Sequence, residues 1–221
     1  MARSIAIDGP AGAGKSTIAR KVAQELGFIY VDTGAMYRAM ALYMLKNGIG
    51  ADESEKVAGS CKEADITIKH ENNEQVVYLN GENVNGLIRT EEVGNMTSAI
   101  SVNAAVREKL VELQQKLAEK TDVVMDGRDI GTVVLPSADL KVYLTASSRV
   151  RAERRYKELV AKKVDCNLEE IEKDIIDRDY RDMHREISPL KQADDAVFLD
   201  SSDMTIEEVK DAIIAEAKGK L

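Results

Sequence analysis

The sequence predicts an α/β fold, on three observations. A short apolar strand over Ser4–Asp8 runs into a glycine-rich loop and then a helix over Lys15–Leu26. Four further short apolar runs, at residues 28–31, 123–126, 140–144 and 196–199, alternate with segments of helical period. The unbroken Val123-Val124-Met125 run is the pattern of a parallel strand buried on both faces. Around Asn80-Gly81, a strong hairpin signal, the period changes to alternation, so a small antiparallel subdomain is expected over residues 66–94. A chain of 221 residues suits one α/β domain, residues 1–221, carrying such an insertion.

The N-terminal loop reads Gly9-Pro10-Ala11-Gly12-Ala13-Gly14-Lys15-Ser16, followed by Thr17, and fits the pattern G-x-x-x-x-G-K-[ST]. Its context is a strand before and a helix after, with Ile18, Val22 and Leu26 four apart and Gly27 closing the helix. Glycines let backbone N–H groups converge on phosphate oxygens with no Cβ in the way. The helix start adds further N–H groups and a partial positive charge. Lys15 can neutralise charge on β- and γ-phosphates, and the Ser16 hydroxyl can reach a Mg²⁺ ion. A nucleoside triphosphate is the expected ligand.

The second strand leads into Asp32-Thr33-Gly34-Ala35-Met36-Tyr37-Arg38, helical from Gly34 to a stop at Asn47-Gly48. Met36, Met40 and Met44 recur at helical spacing and read as core filler. Arg38 lies in the first turn, where the helix dipole disfavours a cation. A nearby anionic ligand resolves that; a solvated surface arginine is the alternative. Asp52 reads as the cap of a short helix reaching Ala64. In the inserted patch Ile66-Thr67-Ile68 alternates, residues 75–79 are strand-like and Glu82-Asn83-Val84 follows the turn. His70, in a polar loop over residues 70–74, reads as a surface residue. Thr90 caps a helix that carries Ser98. Asn103 starts another, with an apolar stripe of Val106, Leu110, Leu113 and Leu117 from which Arg107 stands aside.

The strand at residues 123–126 ends in Asp126, at the edge where open α/β sheets bind ligands. Asp126 is the candidate for holding Mg²⁺, with a turn-capping role as the alternative, and Arg128 and Asp129 follow in the same crevice. After the fourth strand, Ser147 or Ser148 caps a helix with Arg149, Arg151, Arg154 and Arg155, of which the last three share a face. Arginine suits planar, bidentate contact with phosphate, so residues 147–167 read as a lid. The competing reading is a solvated helix laced with ion pairs. Asn167 and Glu170 form a capping-box pattern for a helix that places Arg178, Arg181 and Arg185 on one face with Asp182 between, stopped by Pro189. Thr205 and Glu208 cap the last helix, which ends near Gly219.

A formal net charge of −8, no Trp and few aromatics argue against a nucleic-acid surface. Cys61 and Cys166 show no metal-binding spacing and suit two unpaired thiols in a reducing cytoplasm. The first apolar run breaks at Asp8, unlike a signal peptide, and no stretch has the length of a membrane span. A cytoplasmic protein with no membrane partner is expected, and a monomer, since no oligomer interface is legible.

Phosphoryl transfer asks for in-line positioning and charge stabilisation, which a P-loop lysine, a Mg²⁺ site and several arginine clusters supply. With only His70 and His184, no Ser-His-Asp set can be assembled, and the guanine-reading N-K-x-D is absent. Arginines placed to clamp a second phosphate point to an acceptor that itself carries phosphate. That describes a nucleotide kinase better than a sugar or shikimate-type kinase. Two other classes stay open: another small-molecule kinase on the same core, and a P-loop regulatory module that binds ATP without transferring it. A screen of acceptors separates all three.

The P-loop, the D-T-G-A-M-Y-R stretch at 32–38, Asp126-Gly127-Arg128-Asp129-Ile130-Gly131-Thr132 and Arg178-Asp179-Tyr180-Arg181-Asp182 together resemble bacterial cytidylate (CMP/dCMP) kinases, over essentially the whole chain. The resemblance implies a nucleoside monophosphate kinase fold: a five-stranded parallel sheet flanked by helices, a monophosphate-binding subdomain holding the hairpin over 66–94, and a helical lid over 147–167. It implies ATP and Mg²⁺, with CMP or dCMP converted to CDP or dCDP. Carried over residue by residue, Gly9 to Thr17 bind ATP with Arg151 and Arg155, and Ser16 and Asp126 hold the metal. Arg38 and Arg128 grip the CMP phosphate, with Thr33 beside them where some members have serine. Ser98, Arg107 and Asp129 read cytosine, whose exocyclic amine wants an acceptor and whose N3 and O2 want donors. Asp182 holds the ribose. Lys15, Arg128, Arg154, Arg178 and Arg185 serve the transferred group, and lid closure excludes water from it.

Overall fold

The computed structural model describes residues 2–71 and 74–221. The chain forms two compact units: one from the segments up to Tyr30 and from Thr121 onward, the other from Val31–Lys120.

The first unit is built on a five-stranded sheet in the order β2-β6-β1-β7-β8. Its strands are β1 (Ser4–Asp8), β2 (Ile29–Asp32, which runs two residues past the Tyr30 boundary), β6 (Val123–Gly127), β7 (Leu140–Thr145) and β8 (Val197–Asp200). β1 pairs in parallel with both β6 and β7, and β8 in parallel with β7. Central placement explains why Ile5, Ala6 and Ile7 are wholly buried. The register sets Ile7 beside Asp126 and Asp8 beside Gly127, so two acids end neighbouring strands at one edge. Helix α1 (Lys15–Leu26) buries Ile18 and Val22, and helix α8 (Ile206–Lys218) buries Val209 and Ile213, in one cluster with Ile5, Ile7, Val124, Leu140, Val142 and Leu144. Helices α6 (Ser148–Ala161) and α7 (Leu168–His184) pack against each other.

At the ends of these helices one open alternative is settled and two sequence expectations change. Ser147 rather than Ser148 caps α6, accepting the Val150 N–H. Asn167 alone caps α7, accepting from both Glu169 and Glu170; the full reciprocal box is at Thr205 and Glu208 of α8. Helix α7 ends at His184, before Pro189 is reached, and Arg185 takes an extended backbone with φ −65° and ψ 142°. Arg185 therefore leaves the helical face of Arg178 and Arg181.

In the second unit, helix α2 (Thr33–Lys46) starts one residue earlier than expected, because the Asp32 side chain accepts the Ala35 N–H and caps it. Met36, Met40 and Met44 are buried as core filler with Val57, Ile66, Val77, Leu79, Val93, Val106 and Leu110. Helix α3 (Ser54–Ser60) is capped in position by Glu53, not Asp52, and its continuation over Cys61–Glu63 tightens to a 3₁₀ turn. The antiparallel sheet has three strands, β3 (Ile66–Glu71), β4 (Glu74–Leu79) and β5 (Glu82–Asn83). Asn80 and Gly81 carry φ 49° and 80°, both positive as a type I′ turn requires. His70, expected in a polar loop over 70–74, instead lies on β3 opposite Gln75 of β4, and it is exposed as expected; Asn72 and Asn73 lie outside the described residues. Thr90 caps helix α4 (Glu91–Ile100) and Asn103 caps helix α5 (Ala104–Ala118).

Candidate active site

The P-loop leaves β1 through Gly9, where φ is 150° and a Cβ would stand 1.9 Å from the Leu144 carbonyl oxygen. Only glycine lets the loop pass β7 that closely. Gly14, with φ 86°, then turns the chain into α1. Lys15 is buried and its Nζ donates to the Pro10 carbonyl at 2.7 Å. Burial, then the Arg128 charge, lowers its pKa to about 7, against the pull of Asp126, Asp8 and Asp182.

Ser16 Oγ donates to Asp126 Oδ2 at 2.9 Å, and the Tyr30 hydroxyl donates to Asp126 Oδ1 at 2.9 Å. The P-loop hydroxyl and the strand-end carboxylate are thus in contact, as a hard-cation site needs. Among the described residues no group of three or more His, Cys, Asp or Glu side chains is placed to hold a metal. A hydroxyl and a carboxylate oxygen are the donor types that a hard cation such as Mg²⁺ takes.

Asp8 plays no part in the sequence reading beyond ending an apolar run, yet it is a centre of this site. Its buried carboxylate accepts the Ile130 N–H at Oδ1 and the Gly131 N–H at Oδ2, each at 2.7 Å. Burial raises its pKa to about 6, with Asp129 adding to the rise while the two N–H bonds and Lys15 oppose it.

Arg128 Nε donates to Asp182 Oδ2 at 2.8 Å. Burial pushes the Asp182 carboxyl up, but Arg128, Arg178 and Arg185 outweigh it and hold it below its ordinary range. Arg185 Nη2 lies 3.5 Å from Asp129 Oδ1, both side chains being buried, and its Nε donates to the Ser188 carbonyl at 2.6 Å. Arg128, Asp129, Arg178, Asp182 and Arg185 thus form one charge cluster, and Lys15 feels Arg128 and Asp182 from it.

The three arginines on one face of α6 reach three destinations. Arg151 is buried: its Nε donates to the Ala146 carbonyl at 2.8 Å, Nη1 to the P-loop carbonyl of Ala11 at 2.9 Å and Nη2 to Asp179 Oδ2 at 2.6 Å. Arg154 donates to the Ser201 carbonyl at 2.7 Å, and exposed Arg155 pairs with Glu158 at 2.9 Å. Thr17 is exposed on the first turn of α1.

In the second unit, Thr33 is buried at the start of α2, and Arg38 on α2 and Ser98 on α4 are half-buried. Arg107 is buried rather than set aside from the core: its guanidinium lies 5.7 Å from the Tyr37 ring centroid and donates to the Ser101 carbonyl at 3.4 Å. Gln75 on β4 pairs with both backbone groups of Asp32, accepting its N–H at 2.7 Å and donating to its carbonyl at 3.2 Å. Among the described residues, no helix is long and apolar enough to cross a membrane.

Residues 5–219 match the family model described as Cytidylate kinase. Two proteins named Cytidylate kinase, from Streptococcus pneumoniae strains 70585 and Hungary19A-6, are each 50% identical over 218 residues, covering 98% of this chain and 98% of theirs. Among solved structures, a shikimate kinase from Bacteroides thetaiotaomicron superposes with a TM-score of 0.50 at 14% identity, covering 98% of both chains. An uncharacterized protein from Eubacterium ventriosum gives 0.55 at 13% identity, covering 99% of both. These two share the fold with this chain.

Proposed function

The chain belongs to the cytidylate kinase family, and from that premise we propose that it transfers the γ-phosphoryl group of ATP to CMP or dCMP, giving ADP and CDP or dCDP. The observation that supports this most is the meeting of Ser16 with Asp126 beside buried Lys15, next to the Arg128–Asp182 and Arg185–Asp129 pairs.

Residues 9–17 take the ATP phosphates through backbone N–H groups and Lys15, whose ammonium a polyphosphate holds in its charged form. Ser16 and Asp126 would hold Mg²⁺, which when bound would offset the charge of the phosphates. Arg38 and Arg128 take the acceptor phosphate, with Thr33 beside them. Ser98, Arg107 and Asp129 select cytosine, and Asp182 holds the ribose. Arg178, Arg185 and Arg154 serve the transferred group. Residues 147–167 act as the lid, with Arg151 and Arg155 on ATP, and residues 66–94 as the monophosphate-binding subdomain within a single kinase domain. The acceptor oxygen belongs to a phosphate whose second pKa is about 6, so it is ionised at neutral pH and needs no histidine base. Two free cysteines, Cys61 and Cys166, support a reducing cytoplasm as its place of action, as a monomer that takes no nucleic acid or membrane partner.

Chromatographic detection of CDP from Mg-ATP and CMP tests this. Formation of CDP in step with ADP is expected. ADP release with no CDP would contradict it.

A further inference from the structure

We propose that Asp8 is a positioning residue for phosphoryl transfer: its carboxylate holds the Ile130 and Gly131 amides and so sets the backbone that carries Arg128 and Asp129. This rests on the kinase reading above and adds a residue to its machinery.

The turn after β6 is a single wide helical turn over Ile130–Val134. Val134 donates back to the Asp129 carbonyl at 3.2 Å, and Leu135 to the Ile130 carbonyl at 2.6 Å. The first amides of such a turn have no acceptor within it. Asp8 supplies one oxygen to each, from the end of β1 rather than from the turn's own sequence. The Ile130 N–H belongs to the peptide plane that contains the Asp129 carbonyl, so pinning it fixes ψ of Asp129. With both oxygens used, the carboxylate fixes two successive peptide planes. Gly131 lies against this carboxylate: a Cβ there would make an ordinary contact of 3.4 Å with Asp8 Oδ2 and would stand 3.1 Å from Lys141 Cδ. Arg128 and Asp129 directly precede these amides and carry the pairs to Asp182 and Arg185. An error of about 1 Å in such a clamp can cost about a hundredfold in rate.

The test uses Asp8→Asn and Asp8→Ala in the full chain, with folding checked by circular dichroism and melting. Asn keeps the shape and one acceptor but points an NH₂ group at the other amide; Ala removes both bonds. KM and kcat for CMP and UMP are measured, with ATP affinity from equilibrium titration of a fluorescent ATP analogue. Amide exchange at Ile130 and Gly131 is read by NMR. The expected result is a rise in KM for CMP of about tenfold in Asp8→Asn and about a hundredfold in Asp8→Ala. CMP/UMP discrimination falls, exchange at the two amides quickens by about tenfold or more, and ATP affinity stays within about threefold. If Asp8→Ala does not fold, the isosteric Asp8→Asn decides. Folded Asp8→Asn with unchanged CMP parameters overturns the proposal, as does equal loss of ATP and CMP affinity, which a general structural role produces. Wild-type protein that turns over no monophosphate overturns the kinase reading and this proposal together. Wild-type turnover beside an unaltered Asp8→Asn overturns this proposal alone.

Discussion

The two units bury different kinds of interior. Between residues 31 and 120 the buried side chains are mostly methionine, valine, isoleucine, leucine and alanine, and the buried polar or charged ones, among the described residues, are Thr33, Arg107 and Gln114. The unit holding the P-loop buries Asp8, Lys15, Asp126, Asp129, Lys141, Arg151, Asp179 and Ser201. A charged group in an interior is costly unless it is paired and hydrogen-bonded, and clustered charges with displaced pKa values mark functional sites. One unit's interior is therefore arranged for stability, and the other gives up stability to hold charge. Substitutions should separate the two by sign.

The largest effect is expected at Lys15. Lys15→Met should lower turnover by about a thousandfold, since a group that stabilises developing charge is removed. It should also raise the melting midpoint of the nucleotide-free protein by about 4 °C or more, because a buried ammonium pushed down to about 7 is replaced by a side chain of similar length that belongs in an interior. Met40→Ala in the other unit should do the reverse, destabilising by about 2–5 kcal/mol through the cavity left at a wholly buried site. Calorimetry of both variants checks the contrast, and a fall in melting midpoint for both would break it.

Next in size is Arg128→Ala, expected to lower kcat/KM for CMP about a hundredfold while ATP affinity stays within about threefold. Equal losses for both substrates would remove Arg128 from the acceptor clamp. Asp129→Asn should relax CMP over UMP discrimination by about tenfold, because the C4 oxygen of uracil wants the donor that asparagine brings. Unchanged discrimination would take Asp129 out of the base pocket.

The smallest effects are in pH. Asp8 titrates near 6 when folded, against an ordinary 3.8. Between about pH 4 and 6 the folded state then binds more protons than the unfolded, and this contribution to stability falls as pH rises. Lys15 titrates near 7 against an ordinary 10.5, so above about pH 7 the unfolded state binds more protons and stability rises towards pH 10. Urea melts across pH should show the first slope vanish in Asp8→Asn and the second in Lys15→Met. Retention of either slope in its variant would contradict the assigned group.

Much of this was legible in the sequence where local pattern and position agree. The five strands follow from apolar runs, and the Ser16–Asp126 contact follows from two separate rules, a P-loop hydroxyl and an acid at a strand's C-terminal end. The type I′ turn follows from Asn80-Gly81. What was hidden depends on tertiary geometry. Asp8 is one acid ending an apolar strand, and nothing local says that its oxygens meet amides more than a hundred residues on. Its only signal was an acid within a run otherwise fit for complete burial. Arg107 stands off the apolar stripe that the sequence shows, but the Tyr37 ring and the Ser101 carbonyl accommodate its charge inside. Helical spacing from Arg178 puts Arg185 on the same face, but the helix ends at His184 with no residue that punctuates sequence to mark it. Gln75 pairs with Asp32 across elements that share no sequence signature.

The most direct measurement is coupled ADP release from Mg-ATP with CMP, dCMP, UMP, AMP and GMP at equal concentration. CMP and dCMP should dominate, which fits both the clamp and a cytosine pocket. Preference for another monophosphate would contradict the assignments of Ser98, Arg107 and Asp129, and no turnover with any of the five, while ATP still binds, would contradict phosphoryl transfer itself.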